Sequence, residues 1–377
     1  MNFDYNEEQQ LLADSIRRFI AKDYDFETRK KIVASAEGAS ADVWRTFAEM
    51  GLLGIPFASA HGGFGGGAID LMSVMEAIGE GLVVEPFLAT VGLAGQLVAR
   101  GGSEAQRNAI LPAIVEGRLK MAFAHTENGA RYDLAHVAAT ARPAGKVWLL
   151  DGEKRVVLGA PLADKLVVSA RTSGKTADAK GISLFLVDRA AAGVSLRPYA
   201  TLDEMRAADV VLKGVEVGAD ALLGKEGEAG PLIEEAVDFS TALLCAEAVG
   251  AMKHANDATL EYLKTRKQFG VPIGTFQALQ HRIVDLFIEY EQARSMACLA
   301  CSRVDQAGSA RERARAVSSA KIKIADAARH VSQESVQLHG GMGMSEELKV
   351  SHTFRRLTVL AAEFGDADTH LARFAAL

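Results

Sequence analysis

An α+β fold with a helical, then β, then helical order is what this sequence predicts. Three observations carry the expectation. Apolar residues recur at helical spacing through the first third of the chain. Short β-type runs separated by turn residues follow from about Lys120, and helical spacing returns after Pro231 and holds to the end. The expected division is 1–119 for an N-terminal helical domain, 120–229 for a middle antiparallel β-domain and 230–377 for a C-terminal helical bundle.

The first helix starts at Asn6, which with Gln9 forms a capping-box pattern, and Leu12, Ile16, Phe19 and Ile20 continue it. Trp44, Phe47 and Met50 extend the periodicity until Gly51 stops it. Further helix is expected through Leu71–Ile78 and Leu88–Val98, up to Glu116 and Gly117. The expected strands are Met121–Ala124, Val147–Leu150, Lys165–Ala170, Ile182–Val187, Val194–Leu196 and Val210–Leu212. Their close spacing, without helices between them, points to an antiparallel sandwich or barrel. In the last third Val249, Met252, Ile283, Leu286, Phe287 and Tyr290 fit long amphipathic helices packed on one another or on another subunit.

Composition excludes several classes. The chain has 377 residues, a formal net charge of -6 and 49% hydrophobic residues. That mild acidity argues against nucleic acid as a partner, which needs a concentrated basic face. The one basic run, Arg311, Arg313, Arg315, Lys321 and Lys323, reads as a solvated helix face. Asp4, Glu7 and Glu8 stand where a secretory leader would carry lysines, and no apolar run approaches the roughly 20 residues of a membrane span. The greasiest segment, Ala236–Ala251, is broken by Asp238 and Glu247. A cytoplasmic location is the resulting expectation. Three cysteines make no disulfide framework, and the lone Cys298–Cys301 pair reads as core.

The glycine-rich run His61–Gly67 lacks the preceding strand and the βαβ context of a dinucleotide loop, so it reads as a permissive connection between helices. Tyr262–Ile273 is more specific. A helix ends there with Arg266 and Lys267 in or beside its last turn and Gly270 beyond, followed by Phe276-Gln277-Ala278-Leu279-Gln280 opening the next helix. Ordinary C-capping explains the cations, yet an arginine beside a helix start also suits a phosphate. Gln337-Leu338-His339-Gly340-Gly341-Met342-Gly343 either stops a helix or lets backbone approach a ligand.

Together, in this order, YLKTRKQFGVPIGTFQALQ and QLHGGMG resemble the signature segments of the acyl-CoA dehydrogenase family, over essentially the whole chain. His125–Asp133 is similar to that family's flavin- and CoA-facing segment. The stretches AFAHTENGARYDLA, ALLCAEAVGAM and RRLTVLAAEFGDAD are similar in character to the small subunits of pimeloyl-CoA dehydrogenases. The resemblance implies the family fold, FAD as cofactor, an acyl-CoA substrate and an electron-transfer flavoprotein as acceptor. It also implies a flavin shared between subunits, with one chain's β-domain at the ring and its neighbour's motifs at the adenosine diphosphate. Carried over by residue, those motifs fall on Arg266, Phe269, Gln277, Gln337, Gly340 and Gly341.

The sequence departs from the family at the catalytic base. In Glu363-Phe364-Gly365, phenylalanine stands where the family's glutamate is expected, and the alternative position on the preceding long helix is Ser240, followed by Thr241. Glu363, Asp238 and Glu247 are near misses, readable also as surface or inter-helix charges. On a helix Glu247 lies roughly 10 Å along the axis from Ser240, too far for the same proton. Arg155-Val156-Val157-Leu158-Gly159 also stands where the family carries a tryptophan–isoleucine–threonine strand against the flavin ring. Three readings follow. The chain is the base-less subunit of a heteromeric dehydrogenase whose larger family partner supplies the base, or a self-sufficient homotetramer using Glu363, or a flavin-free structural or acyl-CoA-binding subunit.

Overall fold

The structure, a computed structural model, describes residues 6–306 and 308–377. Its helical N-terminal segment contains α1 (Glu7–Asp23), α2 (Phe26–Ala34), α3 (Ala41–Glu49), α4 (Ala68–Gly81), α5 (Gly95–Gly101) and α6 (Glu104–Val115). Asn6 caps α1 as expected, with Oδ1 accepting from Gln9 N at 2.8 Å and Gln9 Oε1 accepting from Asn6 N at 3.0 Å. Gly51, at φ 76°, ends the α3 region. Leu88–Ala94, expected as ordinary helix, is a π-helix running into α5. Its Thr90 hydroxyl donates to Met121 O at 3.0 Å and accepts from Met121 N at 3.2 Å, tying this wide turn to the first strand.

The strands are β1 (Met121–Ala124), β2 (Thr140–Ala144), β3 (Val147–Leu158), β4 (Lys165–Arg171), β5 (Ile182–Asp188), β6 (Val194–Ala200), β7 (Arg206–Gly218) and the short β8 (Leu222–Leu223). They form one sheet in the order β6-β7-β3-β2-β4-β5-β8, with β1 added against β4. Antiparallel ladders dominate, but β1 runs parallel to β4, so the sheet is mixed rather than purely antiparallel. A connection long enough to hold two strands separates β1 from β4, so no hairpin dictates their sense. Leu150, Val168, Phe185, Val187 and Val210 sit in one buried cluster between the strands. β2 and the distal half of β3 escaped the periodicity reading. Pro143 interrupts β2, and Glu153, Lys154 and Arg155 give β3 a polar stretch; two register shifts in β3·β7 lie on either side of it.

The C-terminal segment holds α7 (Gly230–Thr265), a two-residue hairpin of β9 (Lys267–Gln268) and β10 (Val271–Pro272), α8 (Gln277–Gln306), α9 (Ala310–His339), α10 (Lys349–Ala362) and α11 (Ala367–Ala376). By packing, the chain groups into two compact units that cut across these segments. One comprises residues up to Lys31, Gly67–Val83 and Thr241–Leu377; the other comprises Ile32–Gly66 and Val84–Ser240. Within the first, α4 and α7 meet backbone to backbone. A Cβ on Gly79 would lie 1.9 Å from Glu247 O, and one on Gly250 would lie 1.8 Å from Glu76 O. Only glycine permits that approach.

Two surface readings need correcting. Lys321 is not part of a solvated face: it is fully buried, and its Nζ donates to Leu360 O of α10. It belongs to the stripe of Val317, Ile324 and Ala328, at i−4, i+3 and i+7 from it. Asp238 and Glu247 are buried too, at 1% and 3% exposure. Cys245, Cys298 and Cys301 are all free and buried, in keeping with a core reading. His61–Gly67 is a connection packed by its glycines: a Cβ on Gly63 would lie 2.1 Å from Phe57 O.

Candidate cofactor and catalytic site

The two C-terminal motifs are brought together in the first unit. Tyr262, one turn before Arg266, stacks on His339, two residues after Gln337, with ring centroids 4.5 Å apart and planes 29° apart. His339 is held in turn by its Nδ1, 2.8 Å from Ser335 O, and burial pushes its imidazole pKa down. Arg266 continues the α7 ladder by donating its N–H to Tyr262 O at 2.8 Å, and its carbonyl accepts from Ile273 N at 2.8 Å. The hairpin between turns through Phe269 (φ 54°) and Gly270 (φ 83°), a pair of left-handed residues suited to a two-residue turn. Phe269 is 91% exposed and meets Phe276 edge-on at 6.2 Å.

Arg266, Gln277 and Gln337 all stand exposed, as do Gly340 and Gly341. A Cβ built on either glycine would meet nothing within 4 Å among the described residues. Gly340 needs glycine for its φ of 58°; Gly341 has no such requirement, whereas the buried Gly343 is forced by Val336 O at 2.5 Å. The open side of Gly341 therefore faces outward, where a ligand's backbone contacts would fit. A guanidinium, two amides and bare backbone suit the diphosphate and adenine of FAD.

The segment expected to carry the base is closed by its own neighbours. Arg356 of α10 donates from Nε to Glu247 Oε1 at 2.7 Å, and its NH1 lies 3.6 Å from Glu363 Oε2. All three side chains are at most 9% exposed. Glu363 thus belongs to an inter-helix ion cluster. Phe364 follows at φ 57°, rare for a bulky residue, and Gly365 at φ 116°. A Cβ on Gly365 would strike His370 Nε2 at 2.7 Å, and that same nitrogen lies 3.0 Å from Phe364 O. In the second unit Ser240 is fully buried, its hydroxyl within donating distance of Ala236 O at 2.7 Å and Gly92 O at 2.8 Å. Thr241 and Asp238 are buried as well. Neither Ser240 nor Phe364 offers a group that accepts a proton at neutral pH.

The two segments that the resemblance places at the flavin ring also meet, in the second unit. Arg155 N donates to Thr126 O at 2.7 Å. Lys154, fully buried, donates from Nζ to Glu127 Oε1 at 2.6 Å, Ser169 Oγ at 2.9 Å and His125 O at 3.3 Å. Burial pushes Lys154 down to about 8 against the pull of Glu127, and burial with Lys154 pushes His125 down to about 3. Val156, in the stretch expected to face the ring, is 52% exposed and at φ 50°. Asp209 pins this bulge, accepting from Arg155 NH1 at 2.5 Å, Tyr199 OH at 3.1 Å and Val156 N at 3.3 Å. Arg266, Gln277, Gln337, Gly340 and Gly341 have the chemistry to fit the diphosphate end of FAD; the stretch that the resemblance places at the ring lacks the aromatic face and hydroxyl expected there.

Comparison with known proteins places the chain. Three domain families match in succession: acyl-CoA dehydrogenase N-terminal domain over 6–118, middle domain over 122–215 and C-terminal domain over 230–376. The acyl-CoA dehydrogenase FadE12 of Mycobacterium tuberculosis is 30% identical over 358 residues, covering 93% of this chain and 90% of that protein. Among solved structures, the FAD complex of PigA matches with a TM-score of 0.92 and 26% identity, over 100% of this chain and 98% of that one. The ChsE4-ChsE5 complex from Mycobacterium tuberculosis matches with a TM-score of 0.90 and 25% identity, over 100% and 98%. The chain belongs to the acyl-CoA dehydrogenase family. It is a flavoprotein oxidoreductase acting on CH–CH bonds, with FAD as its cofactor. No helix among the described residues is long and apolar enough to cross a membrane.

Sequence reasoning found the exposed motifs but missed what holds them. Tyr262 and His339 carry no signal beyond their place inside the two motifs. Arg356 was hidden because Arg355 and Arg356 read alike in sequence, while only Arg356 is turned into the core.

Proposed function

We propose that this chain is the small, base-less subunit of a heteromeric acyl-CoA dehydrogenase, and that it completes its partner's FAD site. The carrying observation is Glu363-Phe364-Gly365. Phenylalanine stands at the expected base, and the adjoining glutamate is engaged by an arginine that also holds Glu247. General-base groups typically contribute 10²- to 10⁴-fold, so an acyl-CoA α-proton needs a carboxylate from elsewhere. The larger, family-related partner supplies that carboxylate and the ring-facing β-domain. FAD, when bound, supplies the hydride acceptor; Arg266 and Gln337, with backbone at Gly340 and Gly341, hold its diphosphate, while Phe269 and Gln277 flank the adenosine.

An apolar stripe supports a shared site. Val284, Phe287 and Ile288 of α8 are 53%, 58% and 46% exposed, and they share a helix face with Gln277, at i+7, i+10 and i+11. A partner seated there reaches the same surface as the cofactor motif. The ChsE4-ChsE5 structure is itself a complex of two differently named chains. Sequence character favours a dicarboxylyl-CoA such as pimeloyl-CoA as substrate, an electron-transfer flavoprotein as acceptor and a cytoplasmic location. The test is the visible absorption spectrum of the chain purified alone and with its partner. Flavin colour only with the partner is expected. Colour in the chain alone would favour a homotetramer using Glu363, and no colour in either would favour a flavin-free subunit.

A further inference from the structure

Each of the two C-terminal motifs is a stiff piece built around one aromatic residue. At the end of α7 the Tyr262 carbonyl accepts from Arg266 N at 2.8 Å, and the Arg266 carbonyl accepts from Ile273 N at 2.8 Å. The hairpin is therefore carried by the turn that begins at Tyr262. Its return leg packs closely: a Cβ on Gly274 would lie 2.9 Å from Leu263 O, and Gln280 Nε2 donates to Gly274 O at 2.9 Å. At the end of α9 the glycine turn folds back on His339. Gly340 N donates to Gln337 O, and a Cβ on Gly343 would lie 2.5 Å from Val336 O and 3.1 Å from His339 Cβ.

Among the described residues no hydrogen bond or ion pair runs between Tyr262–Gln280 and Gln337–Gly343. Arg282 Nε donates to Glu334 Oε2 at 2.6 Å just outside them, and the direct contact is Tyr262 on His339. The imidazole is fixed before it stacks. Its Nδ1 lies 2.8 Å from Ser335 O, an oxygen that only accepts, so Nδ1 carries the proton. Burial lowers its pKa, which keeps the ring neutral at pH 7. Two rings belonging to two ligand-facing pieces set the separation of those pieces, in addition to the area they bury.

We propose that Tyr262 and His339 are positioning residues for the cofactor. Their stack fixes the separation of Arg266 from the Gly340–Gly341 backbone, so that both reach one diphosphate. This rests on the reading of those motifs as the FAD site. Groups that converge on one short ligand lose their combined grip when displaced by a fraction of an ångström, so the shell behind them governs affinity.

The test is equilibrium dialysis of FAD against the full chain, in the assembly in which it is purified. Tyr262→Leu is expected to weaken FAD binding roughly 3- to 10-fold, the range an aromatic pair contributes. Tyr262→Phe keeps the ring and should stay within about twofold of wild type. His339→Leu should match Tyr262→Leu, and the double variant should be no weaker than the weaker single one, because the stack is lost only once. Two residues acting separately on the fold would give additive losses. Should His339→Leu fold poorly, the Leu and Phe variants of Tyr262 carry the test. Unchanged affinity in Tyr262→Leu while Arg266→Ala loses FAD overturns the positioning role and leaves the cofactor reading standing. FAD retained in both variants removes the cofactor reading, and this inference with it. An equal loss in Tyr262→Phe, or additive losses in the double variant, also overturns the proposal.

Discussion

Two parts of the same helical unit are built in opposite ways. The face carrying Arg266, Phe269, Gln277 and Gly341 is turned outward, and a Cβ on its Gly341 would meet nothing within 4 Å among the described residues. The segment around Glu363 is closed by its own chain. Arg356 sits beside it, Lys321 holds the last turn of α10 at Leu360 O, and His370 holds Phe364 O. The difference teaches which motif serves something outside the chain. A surface kept polar, aromatic and bare at glycine suits a ligand and a neighbour; a segment crossed by an inter-helix ion cluster suits packing.

The largest effect that would break this contrast lies in the packed segment. Arg356→Met leaves Glu247 and Glu363 buried without their shared guanidinium, and removing one partner of a buried ion pair costs about 3–5 kcal/mol. A urea midpoint close to wild type would show that the cluster holds nothing together. On the exposed face the expectation is reversed. Arg266→Ala should fold normally but hold FAD more weakly, by about 1.5–3 kcal/mol for the lost charge-assisted contact, with Arg266→Lys restoring only part. Equilibrium dialysis of the assembled enzyme measures this. Gly341→Val should likewise lose FAD at an unchanged melting temperature; unfolding instead would make that glycine structural.

A smaller effect sharpens the packed side by pH. Lys321 is pushed down to about 8, by burial above all, from the ordinary lysine value of 10.5. Between those values the unfolded chain keeps its proton on Lys321 while the folded one has released it, so this group raises stability as pH rises. The stability of the wild type relative to Lys321→Met should therefore rise from pH 8 towards pH 10.5. Urea midpoints at three pH values in that window test it, and a constant gap would mean that Lys321 is not desolvated.

The fold was legible because its signals are local. The capping box at Asn6, the stop at Gly51 and the strands Met121–Ala124 and Lys165–Arg171 stand where periodicity and turn residues put them. What escaped depends on contacts distant in sequence. Lys321 looks solvated beside Arg311, Arg313 and Arg315 until α10 covers it. Gly79 and Gly250 look like ordinary helix weaknesses until α4 and α7 are seen to touch through them. The candidate site divides the same way. Arg266, Gln277, Gln337 and the glycines could be named from their motifs, but Arg356 and the His339–Tyr262 stack could not, because no local pattern marks a side chain that turns inward.

The most direct measurement is single-turnover bleaching of the flavin with saturating acyl-CoA, comparing the wild-type pair, a partner whose base is changed to glutamine, and this chain with Glu363→Gln. About one flavin per pair of chains is expected, with loss of bleaching in the partner variant and bleaching retained with Glu363→Gln. Loss of bleaching in Glu363→Gln with FAD still bound would contradict it, because this chain would then perform its own proton abstraction.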